Sequence, residues 1–152
     1  MSDYTGPGLY QLLAAHAPNL AAAIEGESST SGSRVMGWDK SSGGDHLKWV
    51  IAAAGNDEYF VLNYGSGLYM CTSADGKLGG QIVGNLIGAK SKLARWKIIP
   101  TNNGSGAYYL ESVDQPDQCL AFNKEGTSNG TLVVQWSKSA QKNCQVFIRT
   151  PV

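Results

Sequence analysis

Leu9-Tyr10-Gln11-Leu12-Leu13-Ala14-Ala15-His16-Ala17-Pro18-Asn19-Leu20-Ala21-Ala22-Ala23-Ile24 is the stretch whose reading decides the fold. By residue preference alone it is a helix, because Ala and Leu dominate it and both favour helical backbone. Pro18 stands against that reading, since a proline in a helix interior removes a hydrogen bond and costs about 3 kcal/mol, and Ala17-Pro18-Asn19 is turn chemistry. The rest of the chain settles the matter because it repeats. Tyr10-Gln11-Leu12, Tyr59-Phe60-Val61 and Tyr108-Tyr109-Leu110 follow one another at intervals of 49 residues. Gly32-Ser33-Arg34-Val35, Gly80-Gln81-Ile82-Val83 and Gly130-Thr131-Leu132-Val133 stand 48 and 50 apart, and Trp49-Val50-Ile51, Trp96-Lys97-Ile98 and Phe147-Ile148-Arg149 stand 47 and 51 apart. Where the first copy has Ala17-Pro18-Asn19, the others carry Asn63-Tyr64-Gly65-Ser66-Gly67 and Val113-Asp114-Gln115-Pro116-Asp117, both turns between short apolar runs. The opening stretch is therefore a pair of strands, Gly8 to Leu13 and Leu20 to Ile24.

A period of about 48 residues marks one supersecondary unit that cannot bury its apolar face alone. Each unit reads as four short strands, in the second copy Tyr59 to Asn63, Leu68 to Thr72, Gln81 to Gly84 and Trp96 to Ile99. Three units account for the whole chain as one domain, 1–152, with repeats at 8–55, 56–104 and 105–152. The 152 residues suffice to bury roughly 70% of the unfolded surface in a single core, and the 19 glycines among short apolar runs suit an all-β fold. The closed arrangement of about twelve strands with threefold repetition is the β-trefoil, a six-stranded barrel capped by three hairpins, which leaves no free edges. Its core is expected to hold the repeated tyrosines, Trp49, Trp96 and Phe147, and Val35, Val83 and Val133.

Charge narrows the range of partners. Twelve basic and twelve acidic side chains cancel without a basic cluster, so nucleic acid and anionic membrane surfaces are not expected partners. No stretch reaches the length needed to span or insert into a membrane, and the Met1 to Pro7 segment lacks the pattern of a signal peptide, which implies a cytoplasmic protein or release by a non-classical route. Cys71, Cys119 and Cys144 are odd in number and widely spaced, pointing to reduced core thiols rather than a disulfide framework or a metal site. Asn103-Gly104-Ser105 and Asn129-Gly130-Thr131 match the glycosylation pattern and read as ordinary turns.

A resemblance adds to these readings. Val35-Met36-Gly37-Trp38-Asp39 leading to Asp45-His46-Leu47-Lys48-Trp49-Val50-Ile51, and Cys119-Leu120-Ala121-Phe122 followed by Gly130-Thr131-Leu132-Val133-Val134-Gln135-Trp136 and Asn143-Cys144-Gln145-Val146-Phe147-Ile148, resemble the ricin B-chain-like (R-type) β-trefoil lectins. The chain resembles especially the small single-domain, unsecreted lectins of fungi. The resemblance implies carbohydrate binding, with galactose or N-acetylgalactosamine as ligand and no cofactor, metal or catalytic group.

The position that varies among repeats is the candidate site. Trp38 and Trp136 each lie 11 residues before Trp49 and Phe147, whereas Leu86 lies 10 residues before Trp96. A core position would stay apolar in every copy, while a site can be lost from one without harm to the fold. An exposed indole offers a flat face for the C–H face of galactose, leaving the hydroxyls to polar side chains. Asp39, Asp45 and His46 flank Trp38. Asn143 holds the corresponding place in the third copy, with Asn123 on the loop after its second strand. Carboxylates and amides suit vicinal hydroxyls. The family's sugar-binding Asp is replaced by Ala23, Cys71 and Ala121, and the Gln of Gln-x-Trp survives only as Gln145, with Leu47 and Ala94 elsewhere. Either a rearranged set using Asp39, Glu25 or Asn123 holds the sugar, or some copies no longer bind.

Catalysis finds little support, since His16 and His46 belong to no triad spacing and Asp39 with Asp45 would need a desolvated cleft. A β-trefoil protease inhibitor is the alternative, presenting Lys90-Ser91-Lys92 or Arg34 on an exposed loop. The expected partners are glycans or glycoproteins, and a homodimer would add to the number of linked sites.

Overall fold

The computed structural model describes residues 1–88, 90–139 and 141–151. Strands β1 (Gly8–Ala14), β2 (Ala17–Ile24), β3 (Ser33–Asp39) and β4 (Trp49–Gly55) come from the first copy. The second supplies β5 (Glu58–Asn63), β6 (Tyr69–Cys71), β7 (Val83–Asn85) and β8 (Trp96–Pro100), and the third β9 (Tyr108–Ser112), β10 (Gln118–Phe122), β11 (Val133–Ser137) and β12 (Val146–Arg149). Antiparallel pairing runs β1–β4–β5–β8–β9–β12 and back to β1, closing a six-stranded barrel. The pairs β2–β3, β6–β7 and β10–β11 form three hairpins that cap one end. This is a β-trefoil, and closure leaves its barrel without an edge.

The alanine-rich opening stretch forms strands because both of its faces are covered. Tyr10, Leu12 and Ala14 of β1, with Leu20, Ala22 and Ile24 of β2, enter the main core, while Leu13, Ala21 and Ala23 pack outside it with Leu47 and Phe147. A strand buried on both sides reads as an unbroken apolar run, which is why it imitates a helix. Pro18 sits near the start of β2, where a proline is tolerated.

The register defines which residues are equivalent. Tyr10 pairs with Trp49, Tyr59 with Trp96 and Tyr108 with Val146. Trp49 and Trp96 are fully buried, and their indole nitrogens donate to the carbonyls of Ala22 and Met70 at 2.8 and 2.9 Å. The third member of this set is therefore Val146, not Phe147, which packs half-buried against the outer cluster. The smaller Val146 is matched by Phe122, which fills the same core from the place held by Ile24 and Thr72 in the other copies. The aliphatic triad is likewise Val35, Ile82 and Val133, all fully buried, and Val83 lies one residue off it. Both expectations slip by a single residue, and in a strand that slip turns the side chain to the opposite face.

At the capped end the three hairpins converge. Val35 N–H donates to the Ile82 carbonyl at 2.9 Å and Ile82 N–H to that of Val133 at 3.0 Å. The Gln81 side-chain nitrogen lies 2.9, 2.7 and 2.8 Å from the carbonyl oxygens of Val35, Ile82 and Val133, tying all three copies together. At the other end Tyr4 packs its ring 5.4 Å from Tyr10 and 5.5 Å from Tyr108. Cys71, Cys119 and Cys144 are buried free thiols.

Urea denaturation measures the weight of these positions. Trp49→Ala should cost about 3–5 kcal/mol through cavity formation, and Gln81→Leu about 1–3 kcal/mol by removing the donor to the Val35 carbonyl, while those of Ile82 and Val133 keep their backbone donors. Phe147→Ala should cost clearly less than Trp49→Ala; equal losses would return Phe147 to the core set.

Candidate functional site

Two grooves flank the cap at equivalent places in the first and third copies. On β3, Met36 and Trp38 share one face by strand alternation, and the cross-strand partner of Trp38 on β2 is Ala21. On β11, Val134 and Trp136 do the same, with Cys119 opposite Trp136. Trp38 is 36% and Trp136 41% exposed, against 0% for Trp49 and Trp96. The first groove, of about 380 Å³, is closed by Glu25, Glu27, Ser42 and His46 around Trp38. The third, of about 320 Å³, sets Asn123, Lys124, Gln141 and Asn143 around Trp136. Small apolar clusters support both from beneath, Leu13, Ala21, Ala23 and Leu47 in one and Cys119, Ala121, Val134 and Cys144 in the other.

His46 and Asn143 occupy the same place in short turns, Asp45–Leu47 and Lys142–Cys144, that lead into β4 and β12. The backbone of the His46 turn is held from the second copy, where the buried Asn63 donates its amide to the His46 carbonyl at 2.9 Å. The His46 ring is mostly buried, with Nδ1 3.2 Å from Glu27 Oε1. Gly44, at φ +104°, leaves the room that this ring occupies, since a Cβ there would stand 2.8 Å from its Cε1 and Nδ1. Glu25 is held by Arg34 through two hydrogen bonds of 2.8 and 2.7 Å, which keep its carboxyl below the usual range.

Two residues expected beside Trp38 lie elsewhere. Asp39 is next to Trp38 in the strand and so faces the other way, lining a separate concavity with Pro18, Asn19 and Asn129. Its carboxylate caps the following turn, accepting from the Ser41 backbone at 2.9 Å and hydroxyl at 2.8 Å, and these bonds lower its pKa. Asp45 is exposed outside the groove and pairs with Lys48 at 3.1 Å. Trp38, His46, Asn123, Trp136 and Asn143 line the grooves. Glu27 was missed by sequence reading. Its signal is the turn Glu25-Gly26-Glu27, which recurs as Asn123-Lys124-Glu125 with the same left-handed pair, Gly26 and Glu27 at φ 62° and 55°, Lys124 and Glu125 at 53°.

The second copy departs from this pattern. Tyr69 pairs with Asn85, so Asn85 rather than Leu86 stands at the tryptophan position, and its side chain accepts from Ser31 at 2.8 Å. Leu86 is one residue further on and exposed. Leu93 takes the place of His46 and Asn143 in the turn Lys92–Ala94. The place of the family Asp is buried in all three copies as Ala23, Cys71 and Ala121. The Gln of Gln-x-Trp is absent throughout, because the register puts Cys144, not Gln145, beside Leu47 and Ala94. Among the described residues no cluster of three or more His, Cys, Asp or Glu could hold a metal ion.

Residues 45–136 match the family model of the ricin-type β-trefoil lectin domain-like proteins. The chain belongs to that family. No curated protein matches this lectin-like domain. Among solved structures it is similar to the designed threefold-symmetric protein ThreeFoil, with TM-score 0.85 and 23% identity over 92% of this chain and 96% of that one. It is similar to the Rhizoctonia solani agglutinin, with TM-score 0.82 and 19% identity over 97% and 98%. The Macrolepiota procera ricin B-like lectin, solved in complex with lactose, matches with TM-score 0.80 and 18% identity over 99% and 100%. Membership in the family supports carbohydrate binding as the activity of this lectin-like domain.

Gly44→Ala tests how the first groove is built. The added methyl must displace the His46 ring and strain the backbone, for an expected loss of about 1–3 kcal/mol. His46 ring resonances should shift strongly while those of Trp136 stay in place. An unmoved His46 spectrum would show that the ring does not rest on Gly44.

Proposed function

We propose that this chain is a carbohydrate-binding protein whose Trp38 and Trp136 grooves take terminal galactose or N-acetylgalactosamine. One observation carries the reading. Two tryptophans at register-equivalent positions are exposed beside polar side chains, while the two at the barrel positions are wholly buried. Burying an indole is favourable, so leaving two of four at the surface suits a stacking role. In the first groove Glu27 and His46 supply acceptor and donor atoms for hydroxyls, and in the third Asn123 and Asn143 do so. The buried Ala23 and Ala121 leave no carboxylate at the family Asp position, and Glu27 is the carboxylate nearest to His46 in the first groove.

The same features favour binding over hydrolysis. A glycosidase acid needs a raised pKa, and Arg34 shifts Glu25 in the opposite direction. The inhibitor alternative loses Arg34, whose guanidinium is engaged by both oxygens of Glu25. It retains Lys90-Ser91-Lys92.

Two grooves on one chain provide linked binding sites whose combined avidity exceeds that of either. Each groove is shallow, so millimolar to sub-millimolar affinity is expected, roughly 4–5 kcal/mol. Calorimetric titration with lactose should show Trp38→Ala and Trp136→Ala each losing about 1–3 kcal/mol at its own groove, with urea stability close to that of the parent. A glycan array names the preferred sugar. Absence of any glycan signal beside tight inhibition of a serine protease would overturn the lectin reading.

A further inference from the structure

Next to the Trp38 groove lies another cavity of about 390 Å³, lined by Gln11, Lys40, Ser41, Lys48, Arg149 and Thr150 among others. Three elements bring its cations together: Lys40 follows β3, Lys48 precedes β4, and Arg149 ends β12 directly across the ladder from Gln11. Among the described residues, no Asp or Glu lines it. The nearby carboxylates reach the cations from outside that lining, Asp45 at 3.1 Å from Lys48 and Asp3 at 3.9 Å from Arg149. In a chain of formal net charge +0, three cations around one concavity are a local accumulation, and a concave wall concentrates their field.

Gly43 lines both this cavity and the Trp38 groove. With Gly44 it forms a partition that carries no side chain, so a ligand can extend across it. The third copy lacks this arrangement. There the equivalent of Lys40 is Lys138, already bound to Glu111 at 2.7 Å, and Gln145 stands in place of Lys48.

We propose that the basic cavity is an anion subsite that takes the carboxylate or sulfate of an acidic glycan whose adjoining neutral sugar stacks on Trp38. The inference rests on the carbohydrate-binding reading of that groove. Arg149 donates through Nη1 to the Met1 carbonyl at 3.0 Å and keeps its Nη2 group for an oxyanion, and Lys40 and Lys48 add point charges beside it. Part-exposed pairs are individually weak, so the expected gain over the neutral sugar is about tenfold.

The test is calorimetric titration of the full chain with lactose, 3′-sialyllactose and 3′-sulfolactose. At low salt at least one acidic ligand should bind about tenfold tighter than lactose, and which one does so distinguishes carboxylate from sulfate. The gain should shrink towards unity at about 0.5 M salt, where screening is strong. Lys40→Ala combined with Arg149→Gln should abolish the gain and leave lactose affinity unchanged, lactose binding serving as the control for folding. Trp38→Ala should also abolish it, and Trp136→Ala should not. Equal affinities for acidic and neutral ligands, or a gain that survives in the double variant, would overturn the subsite. If lactose does not bind at all, the carbohydrate reading fails, and inorganic sulfate becomes the probe. Sulfate-dependent shifts of the Ser41, Gly43 and Thr150 amides would then keep the anion site, and unmoved amides would remove it.

Discussion

Gln81 holds the cap together. Its side-chain nitrogen lies within hydrogen-bond distance of the carbonyls of Val35, Ile82 and Val133, one from each copy. Two N–H groups are thus shared among three acceptors. Carbonyls brought together away from water are costly unless a donor meets them, and the copies offer only one glutamine at this height, since Arg34 and Leu132 take the equivalent places. The pseudo-threefold core is therefore closed by an asymmetric device. The three hairpins are placed relative to one another there, and the grooves beside β3 and β11 inherit their shape from that placement.

The division between core and surface in each hairpin follows from strand alternation. Val35 and Val133 turn inward, and Met36 with Trp38, like Val134 with Trp136, turn to the groove. Symmetry is kept where packing demands it and relaxed where it does not. The inner triad is aliphatic in all copies, whereas the tryptophan position holds Trp, Asn and Trp. Charge is also distributed unevenly, with Lys40, Lys48 and Arg149 around one cavity beside the first groove and Lys138 bound to Glu111 in the third copy. The grooves are thus chemically distinct despite their common frame.

Much of this was legible in the chain. The tyrosine and Trp-x-Ile landmarks marked the three copies, and the contrast of Trp38 and Trp136 with the second copy marked the variable position. The errors were slips of one residue: Phe147 for Val146, Val83 for Ile82, Leu86 for Asn85, and Gln145 where the register puts Cys144. Residue type and spacing along the chain do not tell one strand position from its neighbour. Only the hydrogen-bonded register distinguishes them. Asp39 failed for a related reason, because adjacency to Trp38 in a strand guarantees the opposite face. Asp45 lies outside the groove, paired with Lys48.

By itself the sequence determined the number of copies, the strand content and the presence of two surplus tryptophans, because periodicity and turn residues are local properties of the chain. Tertiary structure alone decided which side chains meet. Glu27 reaches His46 because Gly44 leaves room for the ring and Asn63 holds its backbone from the next copy. Lys40, Lys48 and Arg149 share a cavity because barrel closure pairs the last strand with the first. Such meetings depend on contacts between residues up to the full chain length apart, and no spacing along the sequence records them.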